Sequence, residues 1–374
     1  MPRGSRANRP VIATWSIFRA GSFRLKATVS FLILALLLCH AFQPPFVADA
    51  RQGTPESAPS ESLAGTHLDA ASAWLRAQQD DSGGFPGFSG DLDPGTTTDA
   101  VIALYATRGS DPEAGAALDA AVGYLEKEGT PYAATGAGQA AKLALAAVAG
   151  GRDPRAFGGI DLVAAMKAPP AAAAENPIPG IFGDDLYDHA IVLIAFAAAG
   201  EPVSDDAVEP LRATQGSDGG WAFDGSIERG SADSNTTALV IQALVANGQG
   251  EDQMVSRAVA FLPAFLAPDE GGFAYGQEEP LVADANSTAL VTQALIAAGQ
   301  DPASPKWGNV MLALTMFQTA DGGLRYMASD EAANLLATLQ AIPALAGLPL
   351  PVAVSCGAEE IPETDGCVPL ALAA

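Results

Sequence analysis

Hydrophobic positions in this chain do not keep a single spacing, and between about Thr66 and Ala346 two kinds of segment alternate. In the first kind Ala, Leu, Val and Ile fill nearly every position: 96–108, 135–150, 186–200, 234–248, 285–299 and 330–346. In the second kind apolar residues recur every three or four positions, with polar residues between: 68–79, 113–128, 160–167, 204–215, 252–266 and 306–318. The second spacing is that of a helix with one wet face, whereas a helix that is apolar all round is buried. The alternation therefore predicts six outer helices and six inner ones. Arranged as hairpins, they make an all-α, (α/α)6 toroid whose inner helices run parallel around a central cavity.

The alternation is also a repeat. SNTTALVIQALVANG (Ser234 to Gly248) and ANSTALVTQALIAAG (Ala285 to Gly299) agree at ten of fifteen positions. Self-similarity at this period is the mark of stacked helical hairpins. A second recurring stretch ends the outer segments: Gln79 to Phe85, Gln215 to Trp221 and Gln318 to Leu324 each run from Gln to Gly-Gly and a large apolar residue, and Gly271-Gly272-Phe273 keeps the end without the Gln. The glycines suit a left-handed helix end that reverses the chain, the aromatic packs back beneath the turn, and the Gln is free to bond exposed backbone. This motif is expected to join repeats rather than to perform chemistry.

With Trp74-Leu75 to Gln79 and Phe85, the pattern aromatic-Leu-x-x-x-Gln followed by Gly-x-aromatic resembles the Gln-Trp repeat of squalene and related terpene cyclases and of protein prenyltransferases. It is more distantly similar to the cobalamin carriers related to intrinsic factor. The resemblance covers 66 to about 346 and implies the toroid; it implies less about function, because enzymes and binders share this architecture. Class II terpene cyclases carry Asp-x-Asp-Asp-Thr-Ala, whose central acid protonates an alkene. The corresponding stretches here are Asp233-Ser-Asn235-Thr-Thr-Ala and Asp284-Ala-Asn286-Ser-Thr-Ala, with amide and hydroxyl in place of the central carboxylates. Asp91-Leu-Asp93 begins the motif and then departs from it at Pro94. Protein prenyltransferases hold zinc with Asp, Cys and His; the stretch 51–350 contains no Cys and only His67 and His189, so no metal site and no cofactor are expected. The cobalamin carriers clamp their ligand with a further β-domain that the residues after Leu350 do not supply.

What remains is a pattern of carboxylates. Asp185, Asp233, Asp284 and roughly Glu331 fall at equivalent inner-helix starts, with Asp99 and Asp188 one turn deeper. Capping of free helix N–H groups is the default role of such acids. A cap binds as the anion, which lowers its pKa, whereas a proton donor must be held neutral by burial. In a toroid all inner N-termini open at one end, and the connections reaching that end are the long ones, so these acids would ring a mouth lined by loop aromatics such as Phe88, Phe182, Phe223, Tyr275 and Tyr326. Candidate ligand-binding residues are accordingly Asp185, Asp233, Asn235, Asp284, Asn286, Phe223, Tyr275 and Tyr326. The catalytic candidates are Asp93, Asp99, Asp188 and His189, with a satisfied core histidine the plainer reading of the last.

Charge narrows the partners. The chain of 374 residues carries a formal −24, and because its first fifty residues carry +5 the rest carries −29. Such a body repels phosphate, which excludes a nucleic-acid partner and an anionic membrane surface. The basic stretch, the apolar run Val29 to Phe42 and Ala48-Asp49-Ala50 read as a signal peptide over 1–50, removed to leave a secreted or extracytoplasmic protein starting at Arg51, with no stable membrane insertion after cleavage; an uncleaved anchor is the alternative. Residues 51–65 read as a flexible linker, 66–350 as the toroid and 351–374 as a tail in which Cys356 and Cys367 close a local disulfide. The expectation for function is a non-catalytic toroid that binds a small apolar or amphipathic ligand, or an extracellular partner, at its acidic mouth. The alternative is a divergent terpene cyclase or prenyltransferase-type enzyme, or a carbohydrate-active toroid that uses two carboxylates.

Overall fold

The computed structural model describes residues 59–168, 178–269, 271–356 and 367–369, all within the compact unit Glu56–Ala374. The expected signal peptide lies outside the described residues. Twelve α-helices follow in chain order: α1 (Pro59–Arg76), α2 (Pro94–Thr107), α3 (Ala114–Ala133), α4 (Ala137–Ala149), α5 (Leu162–Met166), α6 (Leu186–Ala198), α7 (Asp205–Thr214), α8 (Ser234–Ala246), α9 (Gln253–Phe261), α10 (Ala285–Ala297), α11 (Val310–Met316) and α12 (Leu335–Leu345). Even-numbered helices pack side by side in sequence, and α12 closes against α2. The odd-numbered helices lie outside them, so the unit is the all-α toroid that the hydrophobic pattern predicts.

The Gly-Gly turns show how neighbouring hairpins are joined. Gln79 Nε2 donates to Gly83 O in its own turn at 3.0 Å and to Ala117 O on α3 at 2.8 Å. Gln215 does the same to Gly219 O and to Met254 O on α9, and Gln318 to Gly322 O and to His67 O on α1. The last of these joins the final hairpin to the first. In each turn the first glycine has φ near +100° and lies against a carbonyl of the next outer helix: a Cβ on Gly83, Gly219 or Gly322 would stand 2.2 to 2.7 Å from Ala120 O, Arg257 O or Ala70 O. Only glycine satisfies both demands. The residue after the pair then donates its N–H to a threonine of the following inner helix: Phe85 to Thr97, Trp221 to Thr237, Phe273 to Thr288 and Leu324 to Thr338.

The outer helices depart from the expected boundaries for local reasons. Helix α1 starts at Pro59, inside the stretch read as linker. The fifth outer segment yields α9 and then a 3-10 turn, Leu262–Phe265, at Pro263, and the sixth is broken before α11 by left-handed backbone at Gly308 and Asn309. The tail forms a two-stranded parallel ribbon, Val354–Cys356 with Cys367–Pro369. Its register sets Val354 opposite Cys367 and Cys356 opposite Pro369, so the cysteines read as a disulfide pair are not direct cross-strand partners. None of the described helices is long and apolar enough to cross a membrane.

Candidate functional site at the mouth of the toroid

The N-terminal ends of the inner helices form the mouth, and aspartates cap most of them. Asp93, Asp185, Asp233 and Asp284 accept from the N–H three residues on, at Thr96, Asp188, Thr236 and Ser287, with distances of 2.7 to 2.8 Å. On α12 the cap is Asn334, bonded to Ala337 N at 3.0 Å; Glu331, placed there on sequence spacing, precedes the helix. At Asp185, Asp233 and Asp284 the expectation that capping lowers the pKa is not met. Burial is the largest influence on Asp185, Asp233 and Asp284 and outweighs their backbone bonds, so all three stand above the ordinary aspartate value. Geometrically they remain caps, and Asp233 is further committed: one oxygen takes Thr236 N–H and the other Phe223 N–H.

Three of the long loops fold over the preceding inner helix. Phe223 O accepts from Leu186 N at the head of α6, Tyr275 O from Ser234 N at the head of α8, and Tyr326 O from Ala285 N at the head of α10. The three aromatics therefore occupy quasi-equivalent places, and as residues they are 48, 51 and 40% exposed. Between the Phe223 and Tyr275 loops lies a groove of about 350 Å³ with Asp233 in its floor. Phe223, Asp224, Ser226, Tyr275 and Glu278 form its walls, and neither Lys nor Arg lines it. Phe182 is not a mouth aromatic of this kind: it stacks on the His189 ring at 5.6 Å and meets Phe196 edge-on.

The candidates on the opposite side of the mouth separate into two groups. His189 turns away from the centre. Its Nδ1 accepts from Phe182 N at 3.0 Å and its Nε2 donates to Ala207 O on α7 at 2.9 Å, so both nitrogens serve to hold the loop and the outer layer. Burial drives its pKa down to about 4, leaving it neutral. Asp93, Asp99 and Asp188, by contrast, are brought together around Tyr132, whose hydroxyl burial holds protonated, its pKa raised to about 12. Asp99 pairs with Lys142 of α4 at 2.9 Å. Burial works against the Lys142 charge, but the Asp99 carboxylate bonded to it overrides that cost, and the ammonium is held above its usual value. Asp188 sits in a notch where α4 lacks a side chain: a Cβ on Gly138 would come within 1.9 Å of its Oδ1. Burial, reinforced by the charge of Asp185, raises Asp188 to about 6.

Below this cluster is the central cavity. Every inner helix contributes an apolar residue to its lining, Ile102, Leu145, Ile191, Leu239, Leu290 and Leu339, α12 adding Pro343, with the Asp99–Lys142 pair and Tyr187 at one side. Its free volume is about 60 Å³, room for a few waters, against the hundreds of cubic ångströms that a ligand of drug size needs. Asn235 and Asn286, at the positions where cyclases carry acids, line neither this cavity nor the groove. Asn235 Oδ1 accepts from Ser234 Oγ at 3.3 Å, while the buried Asn286 Oδ1 has no partner among the described residues. No group of three His, Cys, Asp or Glu among the described residues is arranged to hold a metal ion. Lys142 escaped notice in the sequence although it carried a signal: it is the one charged residue of α4, a helix that is otherwise almost wholly Ala, Leu and Val.

No protein-family model and no curated protein matches this chain. Solved structures do. The type II terpene cyclase MstE from Scytonema, without ligand, superposes with a TM-score of 0.57 at 18% identity, over 77% of this chain and 98% of its own. An unsaturated glucuronyl hydrolase specific for heparin gives 0.57 at 13%, over 77% and 97%. The GH76A α-1,6-mannanase of Salegentibacter sp. HEL1_6 gives 0.55 at 12%, over 76% and 98%. At these identities the likeness is one of fold, and the chain shares its toroid with a terpene cyclase and with carbohydrate-active enzymes alike.

Proposed function

We propose that this protein is a toroid that binds a small amphipathic ligand, neutral or cationic, in the groove between the Phe223 and Tyr275 loops. The observation that carries this reading is the groove itself: about 350 Å³, lined by two half-exposed aromatic residues and by one buried carboxylate, Asp233, whose oxygens are both bound to backbone N–H groups. Such a site supplies apolar stacking faces and carboxylates at the rim, Asp224 and Glu278, without a proton-transfer group in its floor. The acidic lining disfavours anions. The central cavity, at about 60 Å³, is too small for a polyprenyl chain, and the amides at Asn235 and Asn286 offer no proton for alkene cyclisation. NMR titration with uncharged oligosaccharides and with quaternary ammonium ligands tests the assignment. Binding that weakens at least tenfold in Phe223→Ala or Tyr275→Ala supports it; a ligand whose affinity ignores both changes places the site elsewhere.

A second reading, an enzyme acting on a carbohydrate, rests on Asp188. A carboxyl group raised to about 6 beside Asp185 and within the field of Lys142 has the acidity that a general acid needs near neutrality. The mannanase relative is known in an inactive form with two neighbouring aspartates changed to asparagine, and this chain has Asp184 and Asp185 adjacent at the head of α6. Turnover of an α-mannoside or a uronic-acid oligosaccharide, abolished in Asp188→Asn, would establish the enzyme and displace the binder. We further propose export of the chain, with the mature protein starting at Arg51; N-terminal sequencing of protein from its own host, yielding Met1, would refute this.

A further inference from the structure

The end of the toroid opposite the mouth is crossed by the chain's own C-terminal segment. After α12 the backbone runs past α10, α8 and α6 to α4. Leu348 O accepts from Gln293 Nε2 of α10 at 2.9 Å, Leu350 N–H donates to Gln242 Oε1 of α8 at 2.8 Å, and the strand Val354–Cys356 packs on α6 and α4. Gln242 and Gln293 stand at matching positions of the two most similar repeats and are 0 and 2% exposed. Apart from a 3.4 Å bond from Gln242 Nε2 to Ala238 O, this segment supplies their hydrogen bonds. Two buried amides, one offering an acceptor and one a donor, read an extended backbone as a neighbouring β-strand would. Between those two bonds the Leu350 side chain lines the central cavity.

We infer that residues 347–356 form a strap that closes the cavity at this end, keeps it small, and opens locally while the helices stay folded. Its hold on the helices is of a different order from theirs: two side-chain bonds, two backbone bonds at its root from Gly347 N–H to Ala344 O and Leu348 N–H to Pro343 O, and the burial of Val352 and Ala353, with the strand Val354–Cys356 paired only within the tail, against complete hydrogen-bond ladders and fully buried faces in the inner helices. Lifting the strap removes Leu350 from the cavity wall and joins the cavity to solvent on the side away from the long loops. The space so exposed, lined by Leu239, Leu290 and Leu339, takes an apolar group in place of the leucine.

Native-state hydrogen exchange on the full chain tests this, with Gln242→Met/Gln293→Met as the variant, since methionine fills the same space, leaves no buried amide unpaired and cannot bond the strap. The Leu350 amide is expected to exchange at least about a hundredfold faster than inner-helix amides and without dependence on low denaturant. In the double variant it is expected to speed up by a further tenfold or so while Leu239 and Leu290 amides are unchanged. A Leu350 amide that exchanges only with global unfolding, or equal acceleration of strap and helices in the variant, overturns the inference. In parallel, Leu350→Gly is expected to raise binding of the neutral apolar dye Nile red at least about tenfold; unchanged dye binding in a variant whose helical circular dichroism is intact counts equally against it.

Discussion

Asp188 and His189 are neighbours in the chain with opposite consequences for acid stability. Asp188 is raised from 3.8 to about 6 by burial, so the unfolded chain releases this proton first, and the stability it contributes is full below pH 4 and lost as pH rises through 6. His189 is lowered from 6.5 to about 4, so the unfolded chain takes up a proton that the fold refuses, and stability is lost as pH falls from 6.5 towards 4. The two slopes partly cancel. Asp188→Asn is expected to stabilise the protein at pH 7 by on the order of 1–2 kcal/mol, allowing for partial exposure, and to expose the uncompensated histidine as a steeper loss below pH 6.5. Urea midpoints at pH 4, 5.5 and 7 check this; a variant with an unchanged slope would mean that Asp188 is solvated in the fold. The inverted caps are of the same origin. The sequence showed that Asp185, Asp233 and Asp284 stand at helix starts, which was legible from periodicity alone. Their burial under the next loop was not, because it depends on a segment about forty residues further along in the case of Asp233 and Tyr275.

At the level of elements, the Gln-Gly-Gly turn carries the joint between outer helices. Each Gln makes two bonds, one within its turn and one to the neighbouring helix. Gln215→Ala is expected to cost about 1–2 kcal/mol, and Gly219→Ala more, about 2–4 kcal/mol, because a Cβ there meets Arg257 O at 2.7 Å and the backbone holds φ +104°. Chemical denaturation ranks the two; a Gly219→Ala cost below that of Gln215→Ala would remove the close approach as the reason for the glycine. Helix type and order could be read from hydrophobic spacing because inner and outer helices differ in period along their whole length. The ends of α9 and α11 could not, since Pro263 and the left-handed Gly308-Asn309 break segments that keep their amphipathic spacing. Nor could the cavity lining. On a helix apolar all round, spacing does not say which leucine faces the axis and which faces the outer layer.

For the whole molecule, the closing joint is Gln318 to His67 O, with Trp74 Nε1 donating to Asp321 at 3.2 Å across the same seam. Gln318→Ala should therefore loosen a boundary that every other hairpin relies on for closure, whereas Gln79→Ala acts between two consecutive ones. Thermal unfolding is expected to stay a single transition in the second variant and to broaden in the first; equal sharpness in both would show that the seam is no different from the other joints. The seam has one more consequence. In an open stack of repeats the outermost units must be altered to face water, and their identity is fixed by that alteration. Here α1 lies beside α11 and α12 beside α2, so the packing assigns no hairpin the role of first or last. The ring of helices is thus compatible with a chain opened at a short turn such as Gly299 to Pro305, provided that the segment after α12 keeps its place across α10 and α8.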